Sequence, residues 1–127
     1  MAASASFASV PRSEVVAISA ANTNRDGTGT IVAAFTTSAS GSRIERIEVK
    51  ATGTTTAGMV RVFKKEGAGA WALWKEYVVS AITPGAAVAT YRSIDDEIGE
   101  ILETNFQVGF STHNAEGFNC HISGGDF

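Results

Sequence analysis

A chain of 127 residues fits one domain, and at that size folding buries about two-thirds of the surface that the unfolded chain exposes, so a core forms without a metal or a disulfide. Ten Lys and Arg set against thirteen Asp and Glu give a formal charge of -3, scattered with no basic stripe to match a phosphate backbone, which argues against direct nucleic-acid binding. The single cysteine, Cys120, excludes an internal disulfide and fits assembly in a reducing cytoplasm.

The opening MAASASFASV lacks the basic start and continuous apolar run of an export signal, and no stretch approaches the roughly 20 apolar residues of a membrane helix. Residues 1–14 are rich in Ala and Ser, with Phe7, Val10 and Pro11 as their only bulky or stiff points. So little apolar area predicts a flexible or extended N-terminal arm, either a frayed terminus or a segment that orders on a neighbouring subunit, followed by one β-sandwich domain over 15–127.

From Val15 onward, β-branched and aromatic residues arrive in short bursts separated by Gly, Asn, Asp, Ser and Thr, the punctuation of an antiparallel β-protein. A burst over 15–20 is followed by Asn22 to Gly27, whose Asp26-Gly27 step signals a turn, and then by a strand over 28–36. Ile47, Val49 and Ala51 alternate with Arg46, Glu48 and Lys50, a half-buried strand. Ile44 is out of phase with that set, which predicts either a bulge or a strand that starts after Ile44.

Met59 to Phe63 forms the next strand, and Glu66-Gly67-Ala68-Gly69 turns into a strand over 71–79. There Trp71, Leu73, Lys75, Tyr77 and Val79 share one face, while Trp74, Glu76 and Val78 share the other. Apolar bulk on both faces predicts a strand covered twice or one that meets a partner chain. Thr83-Pro84-Gly85 turns into a weaker strand over 86–91, and 93–104 reads as a loop with at most a short helical turn. Phe106, Val108 and Phe110, then Phe118, Cys120 and Ile122, alternate on either side of an Asn114-Ala115-Glu116-Gly117 turn, which predicts a terminal hairpin. About eight short strands indicate an all-β, antiparallel, jelly-roll-like sandwich.

No motif in the chain carries catalysis. Cys120 is in phase with Phe118 and Ile122, as a packing cysteine, and the adjacent His121 points to the opposite face, so the two make no thiolate pair. His113 and His121 would face each other across the expected hairpin, and with Glu116 would offer a metal set; no second motif supports it, so neither metal nor other cofactor is expected. Asp95, Asp96 and Glu97, followed by Glu100 and Glu103, match no calcium loop and read as an acidic edge able to dock a basic partner. Gly27-Thr28-Gly29 and Gly67-Ala68-Gly69 lack the third glycine and following helix of a phosphate loop.

Three stretches taken together carry a resemblance: Gly27-Thr28-Gly29-Thr30; Ser40-Gly41-Ser42-Arg43 with Ala51-Thr52-Gly53-Thr54-Thr55-Thr56-Ala57-Gly58-Met59-Val60-Arg61; and Ser111-Thr112-His113-Asn114-Ala115-Glu116 through Gly124-Gly125-Asp126. The chain after about residue 22 resembles a group of small virion proteins of tailed bacteriophages and prophages. The resemblance implies a non-enzymatic structural role on the phage head, as a capsid cement or decoration protein bridging major-capsid subunits, and the family offers no catalytic residues to transfer. It implies as partners the major capsid protein, other virion proteins and further copies of the chain, a trimer being favoured. A head or tail fibre or spike component is the alternative, with Trp71, Trp74 or Tyr91 as carbohydrate-stacking platforms. The expected partner surface is Phe7, Val10, Pro11, Trp71, Trp74, Asp95, Asp96 and Glu97.

Overall fold

The computed structural model describes residues 8–127. Phe7 and the six residues before it lie outside the described residues. The described chain forms nine strands: β1 Val10–Ile18, β2 Val32–Thr36, β3 Ser42–Ala51, β4 Gly58–Glu66, β5 Ala72–Val79, β6 Arg92–Asp95, β7 Glu100–Leu102, β8 Phe106–Thr112 and β9 Phe118–Asp126. They make two antiparallel sheets facing each other as a sandwich. Sheet A has the order β1-β9-β3-β6, with β7 also on β3, and sheet B has the order β2-β8-β4-β5.

The core follows from side-chain alternation. Ile47, Val49 and Ala51 of β3 and Phe118, Cys120 and Ile122 of β9 point inward from sheet A, where they meet Val60, Val62, Val108 and Phe110 of sheet B. Each such large apolar side chain contributes about 1.5–3 kcal/mol by leaving water. Ile44 joins this core because β3 carries a bulge and does not start later: Ile44 pairs with Gly124 and Arg46 with Ser123, so Glu45 has no partner and the phase shifts by one residue.

The chain changes sheet at almost every connection. Only β4–β5 is a hairpin between paired neighbours, while β6 and β7 lie in line along β3, β6 on residues 47–50 and β7 on residues 42–44. This corrects the C-terminal expectation. Strands β8 and β9 were expected to form a hairpin, but β8 pairs with β2 and β4 whereas β9 pairs with β1 and β3. Their inward faces are both apolar, and placing them in opposite sheets lets both bury those faces against each other.

Three further differences have local causes. Val10 to Glu14, expected in an arm, begin β1, because β9 runs on to Asp126 and supplies partners as far as Val10. The expected strand over 86–91 is replaced by an isolated Gly85–Val88 bridge, and the expected loop over 93–104 contains β6 and β7. The helical spacing of Ile94, Ile98 and Ile101 is overridden by the open edge of β3, which offers a ladder. In β5, Val62 pairs with Lys75 and Phe63 with Leu73, so Trp74 is bulged. Trp74, Tyr77 and Val79 consequently pack on the core, while Leu73 turns to the face it shares with Phe63.

The β1–β2 connection, residues 19–31, crosses the outer face of sheet B. Asn22 N–H bonds to Thr112 O, and Ile31 sits over Gly109, where an added Cβ would lie 2.8 Å from Ile31 Cγ2 and 2.9 Å from Trp71 Cη2. Only glycine lets the strap lie so close to the strand. Beneath it Phe63 and Arg61 are sealed from solvent although they point away from the main core.

Candidate functional site

The residues expected at a partner surface are dispersed. Val10 and Pro11 are exposed on edge strand β1, opposite Asp126 and Gly125. Trp71 and Trp74 are half-buried, and their rings carry lysines: Lys65 Nζ lies 4.7 Å from the Trp71 centroid, and Lys64 and Lys75 lie 5.0 and 5.4 Å from that of Trp74. Such cation–π contacts stabilise the fold and occupy the ring faces that a sugar would need. Tyr91 is buried, its hydroxyl donating to Val78 O at 2.6 Å and its ring edge-on to Phe118.

Asp95 is a bridge between the sheets. Its Oδ2 accepts from the Tyr77 hydroxyl at 2.8 Å and lies 3.2 Å from Lys75 Nζ, so β6 of sheet A is clasped to β5 of sheet B. Burial alone would raise the Asp95 carboxyl, but the Tyr77 and Lys75 hydrogen bonds outweigh it and hold the group below its ordinary value. Burial, reinforced by Asp95, pushes the Tyr77 phenol up. Asp96 and Glu97 stand exposed beside this clasp, with no ion pair to any described residue.

Arg61 is a buried centre that the sequence pattern missed. Only 1% exposed, it donates from Nε to Glu76 Oε2 at 3.1 Å, from Nη1 to Asn22 O at 3.2 Å and from Nη2 to His113 Nδ1 at 3.1 Å. A guanidinium has no acceptor, so His113 accepts through Nδ1 and carries its proton on Nε2. Glu76 also binds Arg25 of the strap at 2.7 Å, and that bond, ahead of the one from Arg61, holds its carboxyl low. The network nails residues 22–25 to sheet B. Ser111, paired across the ladder with Arg61, leaves its buried hydroxyl without a protein partner. The signal in the sequence was a cation inside the apolar run Val60-Arg61-Val62-Phe63.

The two histidines do not meet across a hairpin, since none joins β8 to β9. His121 lies within β9 between Val15 and Glu48, while Glu116 accepts from Thr56 N–H at 2.7 Å and from the Thr56 hydroxyl. Among the described residues no group of three or more His, Cys, Asp or Glu gathers as a metal set, and no cleft opens. Cys120 is fully buried, which pushes its thiol up to about 12.

Among the described residues, the outer face of sheet A is left uncovered. One ladder rung runs Val15–His121–Glu48–Ile94 and the next runs Ala17–Asn119–Lys50–Arg92, with every side chain half-buried or exposed. Arg43 and Arg46 extend this face along β3, and Glu45 lies in the bulge between them. No family model, curated protein or solved structure matches this chain. Its functional reading therefore rests on its own residues and architecture.

Proposed function

We propose that this chain is a non-enzymatic virion structural protein of a tailed bacteriophage. In this reading it is a capsid cement or decoration protein that bridges major-capsid subunits as a homo-oligomer, a trimer being favoured, and reaches the phage head after assembly in the host cytoplasm. The observation that carries the reading is the strand order. With β6 and β7 taken as one interrupted strand along β3, eight strands run first-eighth-third-sixth in one sheet and second-seventh-fourth-fifth in the other. That order supports a jelly roll of two Greek keys, an architecture used by viral capsid proteins and by lectins.

An architecture hosts many functions, so the surface must discriminate. The lysines over Trp71 and Trp74 and the burial of Tyr91 favour the capsid reading over a carbohydrate-binding fibre or spike. The test is to mix the purified chain with empty heads built from the major capsid protein of the same genome. Co-sedimentation in a fixed ratio and a higher head melting temperature are expected. A chain that stays in the supernatant and leaves head melting unchanged overturns the proposal, and specific binding on a glycan array would move it to the fibre alternative.

A further inference from the structure

We infer that the open outer face of sheet A is the docking surface for a second copy of this chain, whose carboxylates beside β6 and β7 complement it in charge. The inference deepens the virion reading and rests on it only for the idea that copies assemble.

Elimination leads first to this face. Sheet B is covered outside over β4 and β8 by residues 19–31, which leaves only its edge strand β5, with Leu73 and Val78, exposed on that side. Its edges resist extension by another chain: β2 has five residues and a bulge at Ala34, while β5 has bulged Trp74 and turns Lys75 inward to Asp95. The edges of sheet A are defended likewise. β1 carries Pro11, and its Arg12 lies 4.3 Å from the Phe35 ring centroid and 2.9 Å from Asp126 Oδ1; the opposite edge is two short pieces, β6 and β7. Inward charges, proline, bulges and short edge strands all discourage strand-to-strand pairing. Among the described residues the outer face of sheet A is the broad surface left uncovered.

Charge then selects the occupant. Arg43, Arg46, Lys50 and Arg92 are set against Glu45 and Glu48, a surplus of two positive charges on a chain whose net charge is -3. Glu48 serves both Arg46 and Arg92, and Lys50 donates only to Thr90 O at 3.2 Å. Acidic residues line the adjoining edge: Asp96 and Glu97 follow β6 and Glu103 follows β7, all three exposed and without an ion pair to a described residue. Val15, Ile94 and Ile101, at 59%, 40% and 60% exposed, supply apolar area on the basic face. A basic face meeting the acidic β6–β7 edge of a neighbour is a heterologous contact, which closes into a ring when the rotation permits. Complementary charge would set register and speed encounter, and salt would weaken it.

Two charge-reversed variants test this in the whole chain: Arg46→Glu with Lys50→Glu on the face, and Asp96→Lys with Glu97→Lys and Glu103→Lys on the edge. Sedimentation velocity should show the native chain associating at 50 mM salt, with at least tenfold weaker association at 500 mM. Each variant alone should be monomeric, with circular dichroism confirming that it folds, and an equimolar mixture should associate again. A native chain that is monomeric at low salt and high concentration, variants that associate as the native chain does, or a mixture that stays monomeric overturns the inference. Head binding is read separately: a monomer that binds heads defeats this inference and leaves the virion proposal standing, while an oligomer blind to heads does the reverse.

Discussion

At the scale of single residues, Arg61 is the largest side chain sealed inside the protein, and each of its three donor nitrogens has a partner. Removing one member of a buried charged network strands the others, at a cost of about 3–5 kcal/mol. Arg61→Ala should lose a comparable amount in urea unfolding, and should loosen residues 22–25 in hydrogen exchange. A second prediction concerns pH. Burial raises the Cys120 thiol from its ordinary 9.0 to about 12, and burial with the Asp95 hydrogen bond raises the Tyr77 phenol. Both groups bind their protons more tightly when folded, so the stability they contribute is complete below about pH 9 and is lost as pH rises toward 12. Thermal unfolding should show that decline, shallower in a Cys120→Ala variant. The inward phase of Cys120 was legible because its neighbours in the strand alternate cleanly. The burial of Arg61 was not, since the strap that covers it comes from residues 19–31, far away in sequence.

At the scale of elements, alternation located β3, β4, β8 and β9 well, and of the two readings that the phase slip at Ile44 left open, a bulge or a later strand start, the β3–β9 register contains the bulge. The bulge in β5 escaped notice because Trp71, Leu73, Trp74, Tyr77 and Val78 put apolar bulk on either face under any register. Strands β6 and β7 were illegible for a different reason: their ladder partner is β3, about 42 to 60 residues earlier, and isoleucine spacing alone cannot report a free edge. The β3–β9 crossing gives a sharp test. A Cβ on Gly124 would lie 1.8 Å from Arg43 O, whereas one on Gly85 would meet nothing within 4 Å. Gly124→Ala should therefore destabilise the protein by about 1–3 kcal/mol, the scale of overpacking, while Gly85→Ala should leave the melting temperature within a degree or so of the native value.

At the scale of the whole molecule, the chain commits to the other sheet before most of its strands find partners. β1 waits for β9 and β2 for β8, so the first strands are the last to be secured. Loop closure is paid in entropy before these pairings return anything, which places refolding in the range of about milliseconds to seconds typical of non-local β topologies. Stopped-flow tryptophan fluorescence should find its main phase there. The only local hairpin among the described residues, β4–β5, holds Trp74 and is the element best placed to form early. The same topology fixes which faces remain for other molecules: the strap takes the outside of β4 and β8, and among the described residues the outside of sheet A is left with its surplus of basic residues.

By itself the sequence determined that the chain is an antiparallel β-protein, which residues face inward on its most regular strands, and that Cys120 is a packing residue. Period-two alternation and turn chemistry are local properties and can be read locally. The tertiary structure decided strand order, the separation of His113 from His121, the sealing of Arg61 and the choice of an open face. Each of these depends on which distant strand supplies a ladder or a cover, a competition among segments that no local pattern encodes.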